Sequence, residues 1–242
     1  MADAQFTWLS AAITEVGKVR KLNEDSILDR GADGLWVVAD GMGGHSAGDL
    51  ASQLIVNSMA KLEASRALPD FVERVEDAVQ KVNERLFAVA TAHHQTSGST
   101  VVLLLACGPY AVVMWAGDSR CYRLREGQLS QVTCDHTQIE LLIGKGLLTR
   151  EEAVGHPSSN MVTRAVGVTD DLWLEMDLLE VADGDRFLLC SDGLDKHVKD
   201  EEIARHLRDE DPQAIARALI DLTLARGAVD NVSVCVVKVT KN

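Results

Sequence analysis

Two of the most apolar stretches of this chain stop on an aspartate followed by glycine. The fold must bury the stretches and still give the acids a partner. Leu35-Trp36-Val37-Val38-Ala39 runs into Asp40-Gly41, and Arg186-Phe187-Leu188-Leu189-Cys190-Ser191 runs into Asp192-Gly193. Short apolar runs rich in branched and aromatic residues read as buried strands, and a carboxylate at the end of one is costly unless paired. Three more acids sit in similar places: Asp25 in Asn23-Glu24-Asp25, Asp118 in Gly117-Asp118-Ser119, and Asp230 in Val229-Asp230-Asn231. A single Asp before Gly is an ordinary turn or cap residue. Five in this pattern look like a carboxylate cage for hard divalent cations, which collect oxygen ligands from distant parts of a chain.

Length and charge narrow the classes. A chain of 242 residues can bury a substantial core, and with four prolines, no linker and no repeat, one domain spanning residues 1–242 is expected. The net charge of −13 comes from 37 acidic and 24 scattered basic residues. That balance argues against nucleic acid and anionic membrane as main partners. Cys107, Cys121, Cys134, Cys190 and Cys235 form no Cys-x-x-Cys and lie mostly in apolar runs, so they read as reduced core thiols of a cytoplasmic protein rather than zinc ligands or disulfides. The first residues show no basic flank followed by an apolar region, so no signal peptide is expected. The uncharged stretch 98–117 contains Gly108-Pro109, which suits a strand-turn-strand better than a membrane helix and predicts no membrane insertion.

Periodicity supplies the elements. Strands are expected at Trp8 to Ile13, at Ser26 to Leu28 and up to Asp40, followed by helices from Ala47 to Ala64 and from Pro69 to Ala92. The second helix carries Phe71, Val75, Val79, Val82, Leu86 and Val89 at helical spacing. Hairpins pair Thr100–Cys107 with Tyr110–Ala116 and Cys121–Leu124 with Leu129–Val132. Strands at Leu172–Glu180 and Arg186–Cys190, helices at Glu201–Leu207 and Pro212–Arg226, and a strand at Val232–Val239 complete the chain. Helix pairs alternate with groups of strands, which favours an α+β fold of two stacked sheets flanked by helices over a doubly wound parallel sheet.

The ordered set Gly17-Lys18-Val19-Arg20-Lys21-Leu22-Asn23-Glu24-Asp25, Asp40-Gly41-Met42-Gly43-Gly44-His45, Gly98-Ser99-Thr100, Gly117-Asp118-Ser119-Arg120, Asp135-His136-Thr137, Thr163-Arg164-Ala165-Val166-Gly167, Ser191-Asp192-Gly193-Leu194 and Asp230-Asn231 resembles the metal-dependent protein phosphatases of the 2C type. The likeness runs from about Trp8 to Val239. It implies a four-layer α-β-β-α sandwich of two antiparallel sheets, with a binuclear Mn²⁺ or Mg²⁺ centre at one edge. By resemblance, Asp40 bridges the two ions and the Gly41 carbonyl completes one of them. Asp192 and Asp230 bind the other, while Glu24 and Asp25 act mainly through metal-bound water. Asp118, with Asp192, holds a third, weaker ion found in the bacterial branch, and Arg20 binds the phosphate.

The resemblance also implies the reaction. A bridging water attacks the phosphate monoester directly, because two cations cancel charge and lower the pKa of water, and Arg20 offers a planar two-pronged donor to the equatorial oxygens. No Cys-x₅-Arg loop follows Cys190, so a cysteine nucleophile is disfavoured. Eukaryotic members carry His directly after the Asp-Gly, whereas this chain has Met42. The proton for the leaving alkoxide is then expected from water rather than from His45 or His136. Residues 138–163 match a flap beside the metals that would gate and read protein substrates.

The expected function is a cytoplasmic phosphoserine/phosphothreonine protein phosphatase of bacterial type. It would oppose a cognate eukaryotic-like Ser/Thr kinase in signalling or secretion control, with a forkhead-associated domain protein as a candidate partner. A non-catalytic phosphoprotein-binding module and a hydrolase of small phosphate esters are the competing classes.

Overall fold

A computed structural model describes residues 6–43, 47–93, 97–158 and 161–242. Two antiparallel sheets lie face to face. The first has the order β1 (Phe6–Glu15), β11 (Val232–Lys241), β10 (Arg186–Cys190), β7 (Arg120–Arg125) and β8 (Gln128–Gln131). The second runs β2 (Asp25–Arg30), β3 (Leu35–Gly43), β5 (Val101–Cys107), β6 (Tyr110–Ala116) and β9 (Glu175–Glu180), with β4 (Ser97–Ser99) paired to the far end of β3. The second sheet is covered by α1 (Ala47–Ala60) and α2 (Leu68–His93), the first by α6 (Asp200–His206) and α7 (Pro212–Ala225). Short helices α3 (Gln138–Gly144), α4 (Arg150–Ala153) and α5 (Asp192–Asp195) occupy the connections.

The apolar strands divide their residues between three cores. In β3, Leu35, Val37 and Ala39 face the helix layer while Trp36 and Val38 face the other sheet. In β10, Leu188 and Cys190 face α6 and α7, whereas Phe187 and Leu189 face inward. Side chains alternate across a strand, so only a strand covered on both faces needs an unbroken apolar run. That is the physical reason these runs carry no polar alternation, and it makes the architecture the expected α-β-β-α sandwich. Trp8 and Trp36, with ring centres 5.6 Å apart, pack in the inter-sheet layer.

Several boundaries differ from the sequence expectation. Helix α1 stops at Ala60 rather than Ala64, because the Arg30 guanidinium donates to the carbonyls of Met59, Ala60 and Leu62 and ends the helix there. Val89 is exposed, because the last two turns of α2 extend past the sheet it covers. Strand β9 begins at Glu175, not Leu172. Leu172 and Leu174 are buried, but the Leu172 carbonyl is taken by the Gln80 side chain at 2.7 Å instead of a strand neighbour. Strand β3 continues beyond Asp40 to Gly43, because β4 supplies it with a partner. Among the cysteines, Cys121, Cys190 and Cys235 are buried thiols, whereas Cys134 is exposed and Cys107 half-buried. None of the helices of the described residues is long and apolar enough to cross a membrane.

Candidate metal centre

Antiparallel pairing brings the acids together. Asp25 starts β2 and lies opposite Asp40 in the β2–β3 register. Asp192 follows the end of β10, and Asp230 precedes the start of its neighbour β11, so both stand at one end of the first sheet. Asp118 lies in the tight link from β6 to β7, and β7 pairs with β10 through Arg120 opposite Cys190. Strand ends contributed by residues up to 205 positions apart thus meet above one edge of the sandwich. A cavity of about 310 Å³ opens there, lined by Arg20, Glu24, Asp40, Asp118, Asp192, Lys196 and Asp230 together with Gly41, Met42, Gly43, Thr100, Val162 and Asn231.

Close backbone contacts fix these segments against one another. A Cβ on Gly193 would lie 1.9 Å from the Asn231 carbonyl oxygen, and one on Gly41 would lie 2.1 Å from that of Gly48. Only glycine permits either approach, which is why each follows its aspartate. Asn231 ties the Arg20 segment down. Its amide donates to the carbonyls of Val16 and Leu22, and its side-chain oxygen accepts from the Glu24 backbone N–H at 2.9 Å. The Thr100 N–H donates to the Asp40 carbonyl at 2.9 Å, joining β3 to the link between β4 and β5 at the site.

The electrostatics call for cations. Glu24, Asp25, Asp40, Asp118, Asp192 and Asp230 are six carboxylates, and Arg20 and Lys196 are the two basic side chains lining the cavity. Withdrawal from water and then repulsion from Asp25, Asp192, Asp118 and Asp230 push the Asp40 carboxyl well above the usual range. Burial followed by Asp192 raises Asp118 to about 7. Asp25 rises to about 6 because burial outweighs the hydroxyl hydrogen bonds it receives. Its Oδ1 is buried without a partner. An orphaned carboxylate oxygen within a crowd of like charges is the chemistry that a hard oxygen-seeking ion or its bound water satisfies. The donor set therefore fits Mn²⁺ or Mg²⁺. Among the described residues no three such side chains close on one point. Asp230 is instead drawn to Arg20, at 2.9 Å from Nε and 3.0 Å from Nη2, and Asp192 to Lys196 Nζ at 2.5 Å.

Of the residues expected from the sequence, Arg20, Glu24, Asp40, Gly41, Asp118, Asp192 and Asp230 all line the cavity. Asp25 does not; it stands behind Asp40, with its Oδ2 accepting from the Ser191 and Ser233 hydroxyls at 2.7 Å each. His45 lies outside the described residues. His136 is buried away from the cavity, its Nδ1 accepting from the Gly117 N–H and its Nε2 2.8 Å from Glu175. Cys190 is fully buried and burial pushes its thiol well above the ordinary value, which leaves no reactive thiolate. Sequence reasoning missed Lys196 and the stapling role of Asn231. Lys196 stands four residues after Asp192, one helical turn away, and that spacing was the available signal.

The flap segment leaves and re-enters the fold at one point. The Gln138 N–H donates to Met161 and the Thr163 N–H to His136, closing the excursion at its base. Thr137 caps α3, Thr149 and Glu152 form a capping box on α4, and Arg150 pairs with Glu140 between the two helices. Leu147 and Val154 are exposed on it.

Comparison with known proteins supplies the family. The family model described as "Protein phosphatase 2C" matches residues 18–220. The chain is 38% identical over 231 residues to the serine/threonine protein phosphatase PstP of Mycobacterium tuberculosis, covering 95% of this chain and 44% of that protein. It thus spans less than half the length of that curated relative. It is 30% identical to the serine/threonine phosphatase stp of Listeria monocytogenes, over 93% of both chains. Two solved structures superimpose closely. One is described as PppA, a key regulatory component of T6SS in Pseudomonas aeruginosa, with a TM-score of 0.90 and 44% identity over 98% of this chain and 100% of that one. The other is the catalytic domain of PstP in complex with two manganese ions, with a TM-score of 0.88 and 35% identity over 98% of this chain and 100% of that one. The chain belongs to the protein phosphatase 2C family.

Proposed function

We propose that this chain is a metal-dependent serine/threonine protein phosphatase that hydrolyses phosphoserine and phosphothreonine in proteins. The observation that carries the reading is the convergence of Glu24, Asp40, Asp118, Asp192 and Asp230 on one cavity whose rim bears the half-exposed guanidinium of Arg20. Asp40, the Gly41 carbonyl, Asp192 and Asp230 would hold two divalent ions, with Glu24 and Asp25 acting through their water and Asp118 serving a third ion. When bound, such ions supply charge cancellation and an activated water for direct attack on phosphorus.

The chain's own residues do the rest. Arg20 presents a planar fork able to grip two phosphate oxygens once it releases Asp230. Asn231 and the glycines at 41 and 193 keep the acids in register. The two manganese ions of the PstP structure support Mn²⁺ as one usable metal. Phosphoproteins are the substrates on this reading, and the segment that exposes Leu147 and Val154 reads them.

We further infer a cytoplasmic role opposing a Ser/Thr kinase, with a forkhead-associated domain protein as a candidate partner. The 44% identity with PppA, described as a key regulatory component of T6SS, supports a role in secretion control.

The test is phosphate release from a phosphothreonine peptide by the purified protein with Mn²⁺ or with EDTA, alongside Asp192→Asn. Turnover that requires Mn²⁺ and vanishes in the variant is expected. A folded protein inactive with every divalent metal would instead be a phosphoprotein-binding module. Comparing the phosphopeptide with free phosphoserine separates a protein phosphatase from a small-ester hydrolase.

A further inference from the structure

Resting on the metal-site reading above, we propose that the Lys196 ammonium is a tethered cation that holds Asp192 and Asp230 together until a divalent ion displaces it. Metal loading at this pair of carboxylates is then an exchange of cations rather than a simple addition. Lys196 ends the short helix α5, and its backbone N–H donates to the Asp192 carbonyl, which fixes the stem one turn below that acid. Its Nζ lies 2.5 Å from Asp192 Oδ2 and 3.4 Å from Asp230 Oδ2.

An ordinary surface lysine pairing at i,i+4 reaches one neighbour and stays in water. Lys196 instead bridges two carboxylates 38 positions apart in the chain, with its side chain 26% exposed. It also lines both the main cavity and a second one of about 210 Å³ that opens beside it between Asp118 and Asp195.

The same oxygens cannot serve both cations. A small hard ion such as Mg²⁺ takes its oxygen ligands at about 2.0–2.1 Å, and an ammonium touching those oxygens would stand next to a double positive charge. The flexible four-carbon stem lets Nζ swing away into the open cavity without disturbing the helix. In the metal-free protein the ammonium offsets the mutual repulsion of the acids. In the loaded protein its release weakens net metal affinity, so that occupancy follows the divalent ion concentration over a range set by this residue.

The test is calorimetric titration of Mn²⁺ into the EDTA-stripped, dialysed full chain, together with thermal melts of the metal-free proteins. Lys196→Met is expected to bind Mn²⁺ about tenfold more tightly, because the competing charge is gone, and to melt at a lower temperature than wild type without metal. Lys196→Arg keeps the charge and is expected to stay within about threefold of the wild-type affinity. Lys196→Gln, uncharged but polar, should follow Lys196→Met and guards against a packing defect in either variant. Wild type that binds Mn²⁺ while Lys196→Met and Lys196→Gln bind it equally or more weakly overturns the exchange and leaves the metal site standing. Wild type that binds no Mn²⁺ overturns both.

Discussion

Asp25 and Asp40 face one another across the β2–β3 register, yet their carboxylates go to different places. Asp40 lines the cavity, whereas Asp25 reaches behind it to the hydroxyls of Ser191 and Ser233 in the opposite sheet. One end of the sandwich is therefore cross-linked through a buried acid. The Ser191 hydroxyl carries this link further, accepting from the Ser233 N–H at 3.0 Å.

Removing those hydroxyls should loosen the sheets at the metal end. A hydrogen bond to a charged group contributes about 1.5–3 kcal/mol, and a buried acceptor left without it costs comparably. Ser233→Ala is expected to lower urea stability by about 2 kcal/mol, with Ser191→Ala similar and the double variant worse. Equilibrium unfolding in EDTA measures this, so that bound metal does not mask the loss; a Ser233→Ala midpoint equal to wild type would deny Asp25 its cross-linking role.

Gly193 lies against the Asn231 backbone, between the two motifs that carry Asp192 and Asp230. A methyl 1.9 Å from the Asn231 carbonyl oxygen must push the segments apart. Gly193→Ala should reduce kcat on a phosphopeptide by at least about a hundredfold, because a shift near 1 Å at a reacting centre has that cost. A Gly193→Ala kcat equal to that of wild type would show that the contact is not needed.

Acid should destabilise the fold through His136. Burial is the largest influence on this ring and lowers its pKa below the ordinary 6.5, while the hydrogen bond to Glu175 works in the opposite direction. A base whose folded-state pKa is depressed stays neutral in the fold and takes a proton first in the unfolded chain. Its contribution to stability is thus complete above about pH 6.5 and is lost as pH falls through the folded value. Protonation at Nδ1 would also remove the acceptor that holds the Gly117 N–H at 3.0 Å, next to Asp118. Between pH 7 and 5 the melting temperature of wild type should fall more steeply than that of His136→Gln, and parallel slopes would assign the acid sensitivity elsewhere.

The flap offers a test of substrate reading. Leu147 and Val154 are exposed, and replacing exposed side chains away from caps and networks rarely changes stability by more than about 0.5 kcal/mol. Leu147→Ser with Val154→Ser is expected to lower kcat/KM on a phosphoprotein by about tenfold, roughly the loss of one buried apolar contact, and to spare a small aryl phosphate. Equal effects on both substrates would discard the gating role.

Local chemistry made much of this legible. The runs before Asp40 and Asp192 carry no polar alternation because both faces of each strand are covered, so burial and strand identity follow directly from them. The helical spacing from Phe71 to Leu86 is equally local, and it failed only at Val89, where periodicity continues past the sheet that gives it meaning. The Arg30 side chain that ends α1 comes from another strand, and no signal near Ala60 announces it. Lys196 offered only its four-residue spacing from Asp192, and its second partner, Asp230, comes beside it through the fold.

Local pattern alone marked Asp40 and Asp192, because an acid that ends an unbroken apolar run needs a partner once the run is buried, and the ordered motifs pointed to Glu24, Asp118 and Asp230, which line the same cavity. It also determined the sandwich class, through the grouping of strands and helix pairs. The division of the acids follows from the folded registers: Asp40 faces the cavity, Asp25 joins the sheets, and Asp230 is shared between Arg20 and Lys196. Those outcomes depend on antiparallel registers that bring together residues up to about two hundred positions apart, and on which of several like charges lies nearest a cation. Neither distance exists until the chain has folded.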